Sequence, residues 1–285
     1  MSLTIKPPRR WAVDDKLIRM KILDRVFAKR KESAATAAYN LGLAAKYKGD
    51  WQESLEQNQR ADKLRPGDEA TLWNLGIAAT ALNNWSEARR AWRAYGIEVN
   101  DGAGEVLMPE INACVRLNPS ISGEVVWGVR IDPARIRVLN VPLASSDRLY
   151  GDILINDGAP EGTRISGGEE YAVFDELGLW RRSVYSTYEV ELAVPNTKAF
   201  ESLEKRCRQN DMWVENWGTV RSLCEACSRG NPGEHVCTSA PTDQSKFGFA
   251  SKSEDDLRQV LSEWREVEEG AAFKVLRLVV SGVSG

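Results

Sequence analysis

The stretch YNLGLAAKYKGDW, Tyr39–Trp51, returns 34 residues later as WNLGIAATALNNW, Trp73–Trp85. Asn40-Leu41-Gly42 recurs as Asn74-Leu75-Gly76, Ala44-Ala45 as Ala78-Ala79, and Glu53 as Glu87. A period of this length marks a chain built from stacked supersecondary units. Each unit reads as two amphipathic helices, joined by Lys48-Gly49-Asp50 in the first and Leu82-Asn83-Asn84 in the second. Gly42 and Gly76 let the paired helices approach closely, because a Cβ there would hold them apart. Trp51 and Trp85 open the second helix of each unit and are expected in the core, since large apolar rings prefer burial.

Further residues extend the match. Ala61 and Pro66 stand where the first unit closes its second helix and turns, and Ala88 and Trp92 occupy a small and a large aromatic position in the second. With the 34-residue period and Leu-Gly in the first helix, the stretch 35–102 resembles the tetratricopeptide repeat. The resemblance implies a helical solenoid and a protein-binding scaffold. It places Tyr39, Leu43, Lys46 and Tyr47, then Trp73, Ile77 and Thr80, along a concave groove. Some members of the family clamp a peptide carboxylate with Lys and Asn. Asn74 matches one clamp position, but Tyr39 and Leu43 stand at two others, which argues against carboxylate-tail recognition.

The chain has 285 residues, enough for two domains, and its 42% apolar content with ten Trp can fill buried cores. No run approaches the ~20 apolar residues needed to span a bilayer, so no membrane partner is expected. The N-terminus lacks a secretory pattern. Five Cys, an odd number, then favour a reducing, cytoplasmic setting. The net charge of −3 is uneven: residues 1–34 carry ten Lys/Arg against four Asp/Glu, residues 35–100 balance, and the rest carries −9.

Taken in order, Asp14–Lys31 reads as a helix with Ile18, Ile22 and Val26 recurring every four residues, suited to cap the first repeat. Residues 103–123 read as a packed connector. Residues 124–187 read as β-rich, with Glu124–Ile131 and Arg135–Val141 in a hairpin. Further strands fall at Gly151–Ile155, Tyr171–Phe174 and from Tyr185. Asn156-Asp157-Gly158 and Ser166-Gly167-Gly168 read as turns. Residues 188–280 give the order β-α-β-β-α-β of a ferredoxin-like unit. Its first helix is capped by Asn196, its second opens with Ser251 and Glu254 as a capping box, and Phe273–Val280 is a closing strand suited to burial. The fold class is therefore multi-domain, an α-solenoid over 1–102 followed by a β-rich and α+β region over 124–285.

An insertion at 218–246 contains Cys224, Cys227, His235 and Cys237, and His235 is the chain's single histidine. A Cys-x-x-Cys turn presents two thiolates to one ion, and three cysteines with one histidine suit structural zinc. Unliganded thiols and a redox pair are the alternatives. A site filled in this way leaves no open coordination position, so it points to structure and not to catalysis. With one histidine, nucleophilic schemes lack a base, and no phosphate-binding loop or dinucleotide fingerprint is present. The sequence predicts a non-enzymatic binder of another protein, most concretely an immunity-type inhibitor that covers the basic cleft of a bacterial toxin domain. The other reading is an RNA- or ribosome-associated factor using the basic N-terminal residues Lys6, Arg9, Arg10, Trp11, Lys16 and Arg19.

Overall fold

The computed structural model describes residues 11–120, 123–219 and 245–283, with side chains from Asp24 onward. The chain is mixed α and β and divides into two compact units, Met1–Ile97 and Glu98–Gly285.

Among the described residues the first unit holds four helices: α1 (Trp11–Tyr47), α2 (Trp51–Leu64), α3 (Glu69–Ala81) and α4 (Trp85–Tyr95). Three short polar side chains start helices by accepting a backbone N–H: Asp50 from Glu53 at 3.1 Å, Asp68 from Thr71 at 3.0 Å and Asn84 from Glu87 at 3.3 Å. The glycines act at the helix crossings. A Cβ on Gly42 would lie 2.5 Å from Asn58 Nδ2, and one on Gly76 2.5 Å from Trp92 Cη2. Asn58 and Trp92 are themselves one period apart, so both pairs cross at the same repeat position. Ser54 Oγ donates across the α1–α2 crossing to the Gly42 carbonyl at 2.9 Å, and within α2 Asn58 Nδ2 donates to the Ser54 carbonyl at 2.8 Å.

Two expectations change here. Asp14–Lys31 is not a separate capping helix, because α1 runs unbroken for 37 residues. The stretch from Lys29 to Ala38 contains no Gly or Pro to stop it. Its residues 24–33 are exposed throughout, so Val26 and Phe27 cover nothing among the described residues. Trp51 and Trp85 are half-buried rather than core. Each is the first residue of its helix, where one side of the ring stays open.

The second unit begins with a closed five-stranded barrel: β1 (Ile111–Arg116), β2 (Val125–Arg130), β3 (Arg135–Val138), β4 (Ile153–Ser166) and β5 (Glu169–Arg181). Successive strands are antiparallel, and β1 closes on β5 in parallel, Val115 opposite Phe174. Val115, Leu117, Ile136, Leu154 and Phe174 fill the interior. The stretch read as a connector thus supplies a barrel strand. Asn156-Asp157-Gly158 is no turn either: it lies inside β4, where the pairing with β5 shifts register. The turn at Ser166-Gly167-Gly168 is present, with positive φ at both glycines.

The barrel is followed by β6 (Ser186–Ala193), α5 (Thr197–Gln209), β7 (Trp213–Asn216), β8 (Lys246–Ser251), α6 (Glu254–Val267) and β9 (Ala272–Val280). The sheet order is β7-β8-β6-β9, all antiparallel. Tyr188, Val190, Leu192, Phe247 and Phe249 pack against Leu203 of α5 and Leu257, Leu261 and Trp264 of α6. The Trp264 indole donates to the Ala199 carbonyl at 2.8 Å and so ties the two helices. Asn196 caps α5 as expected, accepting from Ala199 N at 3.0 Å. The cap of α6 is Ser253, not Ser251: Ser253 accepts from Asp256 N at 3.3 Å, while Ser251 Oγ donates to the Ser253 carbonyl. Strand β9 is not buried as expected. It is an edge strand, and Lys274, Val275, Arg277 and Leu278 are exposed.

Candidate functional site

The residues placed on the repeat groove do not form one open surface. Tyr39, Leu43 and Trp73 are half-buried, and Tyr47 is 64% exposed. Lys46 is 3% exposed and Ile77 fully buried, as are Asn74 and Thr80. Trp73 meets Trp92 edge-on at 5.2 Å and Tyr95 at 4.8 Å, which holds its ring inside the second hairpin. The physical reason lies in α3. After Glu69 it carries no charged residue, and Leu72, Leu75, Ile77, Ala78 and Ala79 point to several sides. A helix apolar all round is one the fold buries all round. Ile77 is therefore core and not a groove contact.

What is open lies on α1. Thr36, Ala37, Asn40, Leu41, Ala44 and Tyr47 are exposed, and none is charged. Ala37, Leu41 and Ala44 follow a 4-3 spacing, which puts them on one stripe of a helix. Leu41 is 54% exposed at the centre of that stripe. Lys46 stands over the Tyr47 ring at 4.5 Å. The sequence shows that these positions are uncharged, but their exposure follows from which elements pack on α1.

Cys224, Cys227, His235 and Cys237 lie outside the described residues. Among the described residues, no three His, Cys, Asp or Glu side chains stand where one metal ion could be held. Cys114 and Cys207 are buried free thiols. Burial raises both pKa values, that of Cys207 to about 12, so neither is a poised nucleophile.

Two carboxylates drawn from distant strands come under one field in the second unit. Glu124, just before β2, accepts from Leu143 N at 3.0 Å. Glu215 on β7 accepts from Asn140 Nδ2, and Asn140 Oδ1 accepts from Trp127 N at 2.6 Å. Burial pushes the Glu124 carboxyl up to about 7, against the Leu143 hydrogen bond, and the charge of Glu215 adds to the rise. Glu215 is raised as well, by burial first and by the field of Glu204, against its bond from Asn140. Beside them Trp213, Trp217 and Ala250 pack on Val141, Leu143 and Tyr150, with Tyr150 stacked on Trp213 at 3.9 Å. The Trp217 indole donates to the Val141 carbonyl at 3.0 Å. This cluster joins barrel to sheet. A carboxyl that titrates near neutrality can exchange a proton, yet its neighbours here are packing residues.

A scan against protein-family models finds no match, and neither does a search of the curated proteins. Among solved structures the chain is similar to a hypothetical protein from Neisseria gonorrhoeae, at 11% identity and a TM-score of 0.27, over 62% of this chain and 99% of that one. So distant a likeness carries no argument about fold or function.

Proposed function

We propose that the chain is a non-enzymatic protein-binding module, in which the two helical hairpins are tetratricopeptide-type repeats and the βαββαβ stretch a ferredoxin-like unit. The observation that supports it is the uncharged exposed face of α1, from Thr36 to Tyr47. Interface cores are depleted in charge, as this face is, and Leu41 with Tyr47 supplies its larger apolar surface. Small residues on either side of Leu41 allow a second helix to lie close, at the distance of ordinary helix packing. The partner is therefore a protein that presents a helix. In its most concrete form it is a bacterial toxin domain and the chain an immunity-type inhibitor. The net −9 of residues 101–285 suits a basic cleft.

The test is affinity capture from the native lysate with the wild-type chain and with Leu41→Asp. A stoichiometric toxin domain retained by the wild type and lost by the variant supports the reading. Capture that the variant leaves unchanged removes the α1 face from consideration, and capture of no protein by either overturns the binder reading. Helicity of the variant is checked by circular dichroism, since Leu41 is more than half exposed and its replacement leaves the fold in place.

A further inference from the structure

We propose that the N-terminal part of α1 docks on duplex DNA, entering the major groove and pairing its cations with phosphates on both walls. The first observation is geometric. Residues 24–33 are exposed on every side of the helix, while Ala35 and Ala38 just beyond are buried. The stretch is a rod about 15 Å long, nearly three turns, that no described residue of its own unit covers. With side chains such a rod is about 10–12 Å across, and the major groove, about 12 Å wide, admits one helix.

The second observation is the charge. Arg25, Lys29, Arg30 and Lys31 stand on the rod against Asp24 and Glu32. Among the described residues none of the four cations forms an ion pair, although ion pairs are common elsewhere in the chain. At about 100° per residue the four spread over roughly 240° of the helix circumference. A flat anionic membrane meets one side of a helix and favours cations gathered there, with apolar residues opposite. A groove meets both flanks at once, so cations on several sides find partners. The same argument separates DNA from RNA, because the A-form major groove is too deep and narrow for a helix. Val26 and Phe27, 44% and 63% exposed, add apolar surface that can lie against base edges such as the thymine methyl.

The experiment is fluorescence anisotropy of the full chain with a labelled mixed-sequence DNA duplex of about 20 base pairs, over a salt series. Four phosphate contacts give a slope of about −3.6 in log K against log salt, roughly a hundredfold loss between 50 and 200 mM. The triple variant Lys29→Ala, Arg30→Ala, Lys31→Ala brings the slope to near −0.9. Alanine keeps exposed helix intact, and an unchanged unfolding midpoint confirms it. The Lys29→Arg, Lys31→Arg variant keeps the slope. The proposal is overturned by absence of duplex binding at 50 mM salt, by a slope the triple variant does not change, or by equal or tighter binding to duplex RNA or to phosphatidylserine-containing vesicles.

Discussion

Arg116, Arg135, Asp132 and Glu176 are all buried in the barrel region, whereas among the described residues of the four-stranded sheet and its two helices no charged side chain is so fully buried, Glu215 at the barrel junction being half-buried. The barrel closes its own edge by pairing β1 with β5, while the sheet ends in the open strand β9. The two regions thus follow opposite courses. Three of the barrel's strands, β1 to β3, are short, and paired charges knit the loops around them. The Arg135 guanidinium donates to Asp132 at 2.5 Å, to Glu105 at 2.7 Å and to the Val106 carbonyl at 2.9 Å, and it lies over the Trp180 ring. The sheet gains its stability from apolar contact with α5 and α6 and leaves charge to its surface. One region depends on complete pairing, the other on volume.

The largest effect should come from volume. Trp264→Ala removes a fully buried ring and its hydrogen bond to Ala199, and should cost about 4 kcal/mol in denaturant unfolding. A loss under about 1 kcal/mol would mean that the helices are not held by this core. Next is the barrel pair. Asp132→Ala leaves Arg135 buried with one carboxylate fewer and should cost about 3 kcal/mol. Adding Arg135→Met should recover part of that loss, because replacing a buried pair by apolar volume is far milder than breaking it. If the double variant is worse than the single, Arg135 matters through its own bonds to Glu105 and the Val106 carbonyl, and not through its charge beside Asp132.

A third test addresses the junction of the two regions. Glu124 has its folded pKa raised from 4.5 to about 7. The fold therefore favours the protonated acid. Its contribution is fully present below about pH 4.5 and is lost as the pH rises through 7. The loss is on the order of 2 kcal/mol after allowing for the partial exposure of the residue. Glu124→Gln keeps an oxygen for Leu143 N and cannot ionise, so wild type minus variant should fall with rising pH between 5 and 8. The difference curve isolates Glu124 from Asp68 and Asp211, whose pKa values are lowered and whose stability contributions run the other way. A flat difference would show that Glu124 is solvated.

Much of this arrangement was legible in the sequence because its causes are local. The 34-residue period gave the helix pairs, Gly42 and Gly76 gave their crossings, and Asn196 gave the start of α5. The alternation of Tyr188, Val190 and Leu192 with Glu189 and Glu191 gave β6. Strand β1 was hidden because Ala113 to Arg116 are buried on successive positions, which removes the alternation that marks a strand. Asn156-Asp157-Gly158 looks like a turn and is absorbed as a register shift in a long strand. The meeting of Glu124 with Glu215 and the exposure of the α1 face depend on which elements pack together, and no local pattern reports that.

The smallest effect belongs to the open edge, and it sharpens the comparison most. Among the described non-glycine residues with positive φ, four are Asn or Asp and one is Val275, at φ 47°. It sits where the pairing of β9 with β6 shifts register, between Leu276 opposite Val190 and Lys274 opposite Glu191, so it is the extra residue of a bulge. A β-branched side chain in that conformation costs about 1–2 kcal/mol. The side chain is 57% exposed and recovers little of this by packing. Val275→Gly should therefore stabilise the chain by about 0.5 kcal/mol, the relief of strain being partly offset by the greater unfolded-state freedom of glycine. A rise of about 1–2 °C in the thermal midpoint is expected for a unit of this size. A bulge twists an edge strand away from straight pairing and, with Lys274 and Arg277 exposed beside it, keeps a second chain from adding to the sheet. If the glycine variant is less stable than the wild type, the bulge is held by the valine side chain itself, and the edge is then protected by packing in the way the barrel is protected by closure.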